Sequence, residues 1–235
     1  MAVINLSAGG NGAVDAGWAT NAYSAMCASV FDTYMRDVEI SPDGTWFAIN
    51  STGAWGGATS MCDSTARWEF SRTGSDVRPT WVDYTGGDTV YGLGITNEAV
   101  YVGGHQRWQN NSTPPGGDQA GPGAVSREGI SALDPLTGVP LSWNPGKERG
   151  VGTFAITPTA DALYIGHDTQ YVHGEYRPRL SAFPMTTAVN PDPQIVKLPV
   201  NLYQGRSDAS LRRAVMDGSS ASTAATASVT GLDWS

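Results

Sequence analysis

Two stretches hold the side chains best suited to chemistry. His167, Asp168, His173 and Glu175 lie close together, and imidazole with carboxylate suits zinc or another transition metal. Their spacing does not match the helix-borne His-Glu-x-x-His pattern. The same residues in a polar loop serve turn hydrogen bonding, and that reading is favoured. His105, Arg107 and Trp108, with Asp118 farther along the same loop, offer a second chemistry. A planar guanidinium and an indole face can bind a carboxylate or a sugar. The plainer reading has Trp108 sealing a core and Arg107 lying along the surface or pairing with an acid. Asp43, Asp83, Asp88, Asp118 and Asp134 are scattered carboxylates near turn residues. A hard cation such as calcium suits them, but Asp at turns ordinarily bonds its own backbone, which is preferred here. No cofactor is expected, and a divalent cation is the one admissible ion.

Other classes find less support. The net charge of −8 leaves no basic footprint for nucleic acid. No apolar run approaches the ~20 residues of a membrane helix. The opening residues, Met1 to Leu6, lack the charged and apolar regions of a signal peptide. There is no Gly-x-Ser-x-Gly, and neither cysteine has a histidine beside it in sequence. A carboxylate pair for glycoside hydrolysis stays open, because its ~5–9 Å separation is a property of space. Asn5, Asn50, Asn110 and Asn111 satisfy the Asn-x-Ser/Thr pattern, a weak signal.

The elements that would position these groups recur. Met35–Ile49, Val90–Val102 and Val151–Ile165 are each two short apolar runs around a turn, the first built on Ser41-Pro-Asp-Gly44. Ile40, Ile95 and Ile156 align at spacings of 55 and 61 residues. A second pattern ends in Trp18, Trp81 and Trp143, spaced by 63 and 62 residues. Such periodic tryptophans read as packing between neighbouring sheets. No 3.6-residue periodicity competes.

Four short strands per ~55–60 residues point to an all-β fold, a partial β-propeller. It is expected to hold about three full four-stranded blades plus incomplete terminal ones. The expected units are residues 1–20 (partial), 35–84, 88–145, 149–199 and 200–235 (partial). Too few blades to close a ring implies the remaining blades of a longer chain, or copies of itself, as partners. Cys27 and Cys62 would then lie in loops on one face. They are expected to form a disulfide, although two free buried thiols are the alternative. The bond would close a 35-residue loop and imply an oxidising compartment. The loops 104–129 and 166–178 gather on that face, where binding usually resides.

Several motifs resemble secreted actinobacterial β-propeller repeat proteins. They are Phe31–Gly44, Pro79–Asp88, Val102–Trp108, Ala120–Val125 and Leu141–Gly146. The resemblance spans roughly residues 1–185. It implies an extracellular propeller within a large modular polypeptide and supplies no catalytic residues.

The expected function is a non-catalytic extracellular scaffold that binds or adheres to a glycan or surface protein, without nucleic acid or membrane insertion. The alternatives are a polysaccharide-active hydrolase or lyase with carboxylates on the loop face, and a self-assembling structural subunit.

Overall fold

The computed structural model describes residues 1–6, 12–22, 27, 33–54, 61–114 and 119–185. These residues form strands and turns, with no α-helix among them and hence no helix long and apolar enough to cross a membrane. β1 (Ala2–Asn5) pairs with β2 (Ala13–Ala19). β3 (Tyr34–Ile40), β4 (Trp46–Thr52), β5 (Ser64–Glu69) and β6 (Trp81–Tyr84) make one four-stranded antiparallel sheet in chain order. β7 (Val90–Ile95) and β8 (Val100–Gly104) form a hairpin. After the small hairpin of β9 (Trp108–Gln109) and β10 (Val125–Ser126), β11 (Ile130–Leu133) returns to pair with β8. β12 (Thr153–Pro158) and β13 (Ala162–His167) form the next hairpin. A second small hairpin, β14 (Tyr171–Val172) and β15 (Glu175–Tyr176), precedes β16 (Leu180–Pro184), which pairs with β13.

The three main hairpins share one hydrogen bond. Each main hairpin turns at a hydroxyl residue: Ser41, Thr96 or Thr159. That hydroxyl accepts the backbone N–H of Trp46, Ala99 or Ala162, at 3.1 Å in all three cases. Each first strand also breaks register once, between Met35 and Asp37, Val90 and Gly92, and Thr153 and Ala155. The extra residue is therefore Arg36, Tyr91 or Phe154, each five positions before its turn hydroxyl.

This register corrects one expectation. Ile156 is the counterpart of Val38 and Leu93, while Pro158 is the counterpart of Ile40 and Ile95. The turn hydroxyl and the bulge set the alignment, and both place Ile156 two residues before the position the isoleucine spacing assigns it.

The sheets stack. β7 packs on β3 and β4, and β12 packs on β7 and β8. Trp18 is buried with Phe47 and Trp68 between β1–β2 and the β3–β6 sheet. Trp81 is buried with Leu93 and Val102 at the next junction, and Trp143 with Ile156 and Phe183 at the third. The periodic tryptophans thus seal successive sheets. Glycines permit the close approach of the last two. A Cβ on Gly94 would stand 2.9 Å from Ile156 Cγ2, and one on Gly103 2.6 Å from Thr153 Cγ2.

Two expectations change at this level. The 88–145 unit has three paired strands, its fourth reduced to a single bridge between Leu133 and Pro140. Pro140 has no N–H to extend a ladder. The loops 104–129 and 166–178 each carry a small hairpin of their own. The 149–199 unit is three-stranded among the described residues. Residues 186–199 and the whole partial unit 200–235 lie outside them, and the described sheets form no closed ring.

Candidate functional site

Cys27 and Cys62 form a disulfide, with Cα atoms 5.9 Å apart. It ties the segment before β3 to the loop before β5, as the common-face argument expects. Asp63, the next residue, is fully buried. Thr89 Oγ1 donates to its Oδ1 at 3.3 Å, and Oδ2 has no partner among the described residues. Burial raises its pKa to about 6, with nearby Asp88 adding to the rise and the Thr89 hydroxyl opposing it.

Asp88 is the hub of the face. It is buried, and Arg107 grips it bidentately, Nε to Oδ2 at 2.9 Å and Nη2 to Oδ1 at 3.0 Å. Arg149 Nη2 donates to Oδ1 at 2.5 Å while its Nε donates to the His105 carbonyl at 2.6 Å. His105 Nε2 lies 3.8 Å from the same carboxylate. Burial holds the His105 imidazole below its usual range, opposed by Asp88 and reinforced by Arg149 and Arg107. A carboxylate inside a double guanidinium clasp joins the loops after β8 and before β12 to the start of β7.

The sequence candidates therefore separate. Arg107 is spent on Asp88, the acid-pairing reading. Trp108 is half-buried in β9, with a buried indole N–H that has no partner among the described residues. His105 stays partly open, its side chain 31% exposed. Asp118 lies outside the described residues.

The other four are engaged singly. His167 is buried, Nδ1 bonded to Thr169 Oγ1 at 2.9 Å and Nε2 to Ser181 Oγ at 3.1 Å; burial lowers its pKa to about 4. Asp168 accepts the backbone N–H groups of Val151 and Gly152 at 2.6 and 3.0 Å. His173 Nδ1 contacts the Pro145 carbonyl at 2.9 Å, and Glu175 pairs with Arg177 at 2.5 Å. Among the described residues, no three His, Cys, Asp or Glu side chains are grouped as a metal site requires.

Asp43 and Asp134 bond their own turns: Thr45 N–H at 3.0 Å, and Leu136 and Thr137 N–H at 2.9 and 2.8 Å. Asp83 and Asp88 depart from that reading, since both are buried anchors. Asp83 accepts the Asn110 N–H at 2.6 Å across to another loop, and burial pushes its pKa well up. Among the Asn-x-Ser/Thr asparagines, Asn50 is fully buried and joins sheets by donating to the Gly92 carbonyl at 2.8 Å.

The residues absent from the sequence reading are those on the bulges. The Arg36 guanidinium lies 4.3 Å from the Tyr34 ring centroid and 5.0 Å from that of Tyr91. Tyr91 lies 5.1 Å from Phe154 and meets His105 edge-on at 6.2 Å. Tyr34 and Phe154 are 45% and 47% exposed. The result is a continuous cation–aromatic strip across the first strands of all three sheets, with the Arg149 side chain 38% exposed nearby. Its signal in the sequence is real but needs the turn hydroxyls as the ruler: Arg36, Tyr91 and Phe154 share one repeat position.

The chain matches no protein-family model and no curated protein.

Proposed function

We propose that this chain is part of an extracellular β-propeller that binds acidic glycans at the bulge strip and does no chemistry on them. Equivalent sheets stacked through equivalent first strands are what blades require, and the disulfide suits an oxidising compartment. The observation that carries the binding assignment is the Tyr34–Arg36–Tyr91–Phe154 strip. Bulges re-aim side chains out of the pleat, and here three successive bulges aim at one surface. Exposed aromatic faces stack on sugar rings, and Arg36 supplies a planar donor for a carboxylate. Asp63 and Asp88 support binding over hydrolysis: the first is fully buried and the second is held by two arginines.

Calorimetric titration of the chain with uronic-acid and neutral oligosaccharides tests the reading. Saturable binding of the uronic-acid series is expected. Tyr91→Ala should weaken it at least tenfold, and Arg36→Ala should remove its salt dependence. Absence of binding to both series overturns the assignment. Release of shortened products would instead establish the polysaccharide-active alternative.

A further inference from the structure

Three equivalent faces of the repeat differ sharply in exposure. Each consists of two positions on a first strand and two on the paired second strand. Leu93, Ile95, Val100 and Val102 are 0%, 7%, 0% and 0% exposed. In the third sheet, Ile156, Leu163 and Ile165 are 5%, 1% and 0% exposed, and the fourth position, Pro158, is half-buried. In the first sheet, Phe47 and Ile49 are buried, yet Val38 and Ile40 are each 58% exposed. They wall a slot of about 450 Å³ whose opposite side is β1, including Val3 and Ile4. Among the described residues β1 pairs on one edge only, with β2.

The molecule shows twice what covers such a face. Leu93 is packed by Trp46 and Ala48 of the preceding hairpin's second strand. Ile156 is packed by Ala99 and Tyr101, the residues at the same two positions of the next hairpin. The cover in both cases is an aromatic and an alanine two residues apart. Among the described residues only β1–β2 stands before the first sheet, and it reaches Phe47 and Ile49 through Trp18 and Val3 but leaves β3 bare.

We propose that this slot receives a β-hairpin from outside residues 1–235, its second strand joining the free edge of β1 and presenting an aromatic and a small residue to Val38 and Ile40. The inference rests on the propeller reading above. The described hairpins of a second copy cannot serve, because β4, β8 and β13 already carry β5, β11 and β16 on the edge that would have to join β1. Two copies of β1 paired edge to edge would be related by a two-fold axis perpendicular to the sheet, placing both β3–β6 sheets on the same side. Residues 186–235 hold two aromatics, Tyr203 and Trp234. In each described sheet, however, the strand on that edge precedes its partner in the chain, as β4 precedes β5, β8 precedes β11 and β13 precedes β16. A hairpin built after β16 would reverse that order. A strand added to an exposed edge, with side chains seated in a neighbouring slot, is an established mode of peptide recognition.

The probe is a synthetic peptide with the sequence of residues 34–52, the hairpin that covers Leu93. It is titrated into the 235-residue chain, with binding read by calorimetry and by amide hydrogen exchange of β1. Saturable binding that slows exchange at β1 is expected. Val38→Asp in the chain, or replacement of the indole in the peptide by alanine, should weaken it at least tenfold. Val38 is more than half exposed, so the substitution leaves the fold intact, and unchanged exchange protection of β7 and β8 verifies this. No binding by the peptide overturns the proposal. So does protection, in the chain alone, of the β1 amides that point away from β2: concentration-independent protection there assigns the slot to the chain's own residues, and concentration-dependent protection assigns it to a second copy. Failure here with glycan binding intact refutes only the slot. Loss of glycan binding with peptide binding intact refutes only the ligand assignment.

Discussion

Burial raises the Asp63 carboxyl to about 6 and lowers the His167 imidazole to about 4, and the two act oppositely on stability. Folded Asp63 holds its proton more tightly than the unfolded chain does, so its contribution is lost as pH rises from 4 to 6 and stays lost above. Folded His167 resists protonation, so its contribution is intact above about 6.5 and is lost as pH falls toward 4. Asp63→Asn removes the first slope and leaves the second. The stability gap between variant and wild type should widen by roughly 3 kcal/mol in the variant's favour from pH 4 to 7. Urea denaturation at a series of pH values measures it, and a pH-independent gap would show that Asp63 is solvated. Neither burial was legible in the sequence. His167 reads as a polar loop residue making turn hydrogen bonds, and no pattern singles out Asp63, because desolvation is a property of the neighbours that Ser181, Thr89 and the disulfide assemble.

At the scale of elements, the close stacking of the second and third sheets depends on glycines. Gly103→Ala would place a Cβ within 2.7 Å of both Thr153 Cγ2 and Cβ, an overpacking expected to cost about 1–3 kcal/mol. Gly166→Ala, where the new Cβ meets only Ala155 Cβ at 3.6 Å, should change stability by less than about 0.5 kcal/mol. Equal effects in thermal unfolding would refute close packing as the cause. The hairpins themselves were readable from alternating apolar runs and turn residues, since these are local. Their alignment was not. Matching isoleucines shifts the third hairpin by two residues, whereas the shared bond from turn hydroxyl to N–H sets it correctly and reveals Arg36, Tyr91 and Phe154 as one position. A bulge inserts a residue without changing the local apolar pattern enough to announce itself.

For the molecule as a whole, the Cys27–Cys62 bond closes a 35-residue loop around β3 and β4. Reduction should lower stability by about 3–4 kcal/mol in the chain-entropy model, seen as a lower denaturation midpoint under reductant. Two thiols open to alkylation in the native, unreduced chain would exclude the bond. By itself, the sequence determined an all-β chain of recurrent hairpins, tryptophan-sealed junctions and a same-face cysteine pair. All of these follow from short-range pattern and from a period the residues repeat. Only the tertiary structure decided that Arg107 is consumed by Asp88, that the metal candidates are satisfied separately, and that three bulges align into one strip. It also decided that Val38 and Ile40 are left exposed while Leu93, Ile95 and Ile156 are buried. Those outcomes depend on which side chains meet across sheets, and contacts between residues far apart in the chain leave no mark on the local alternation from which strands are read.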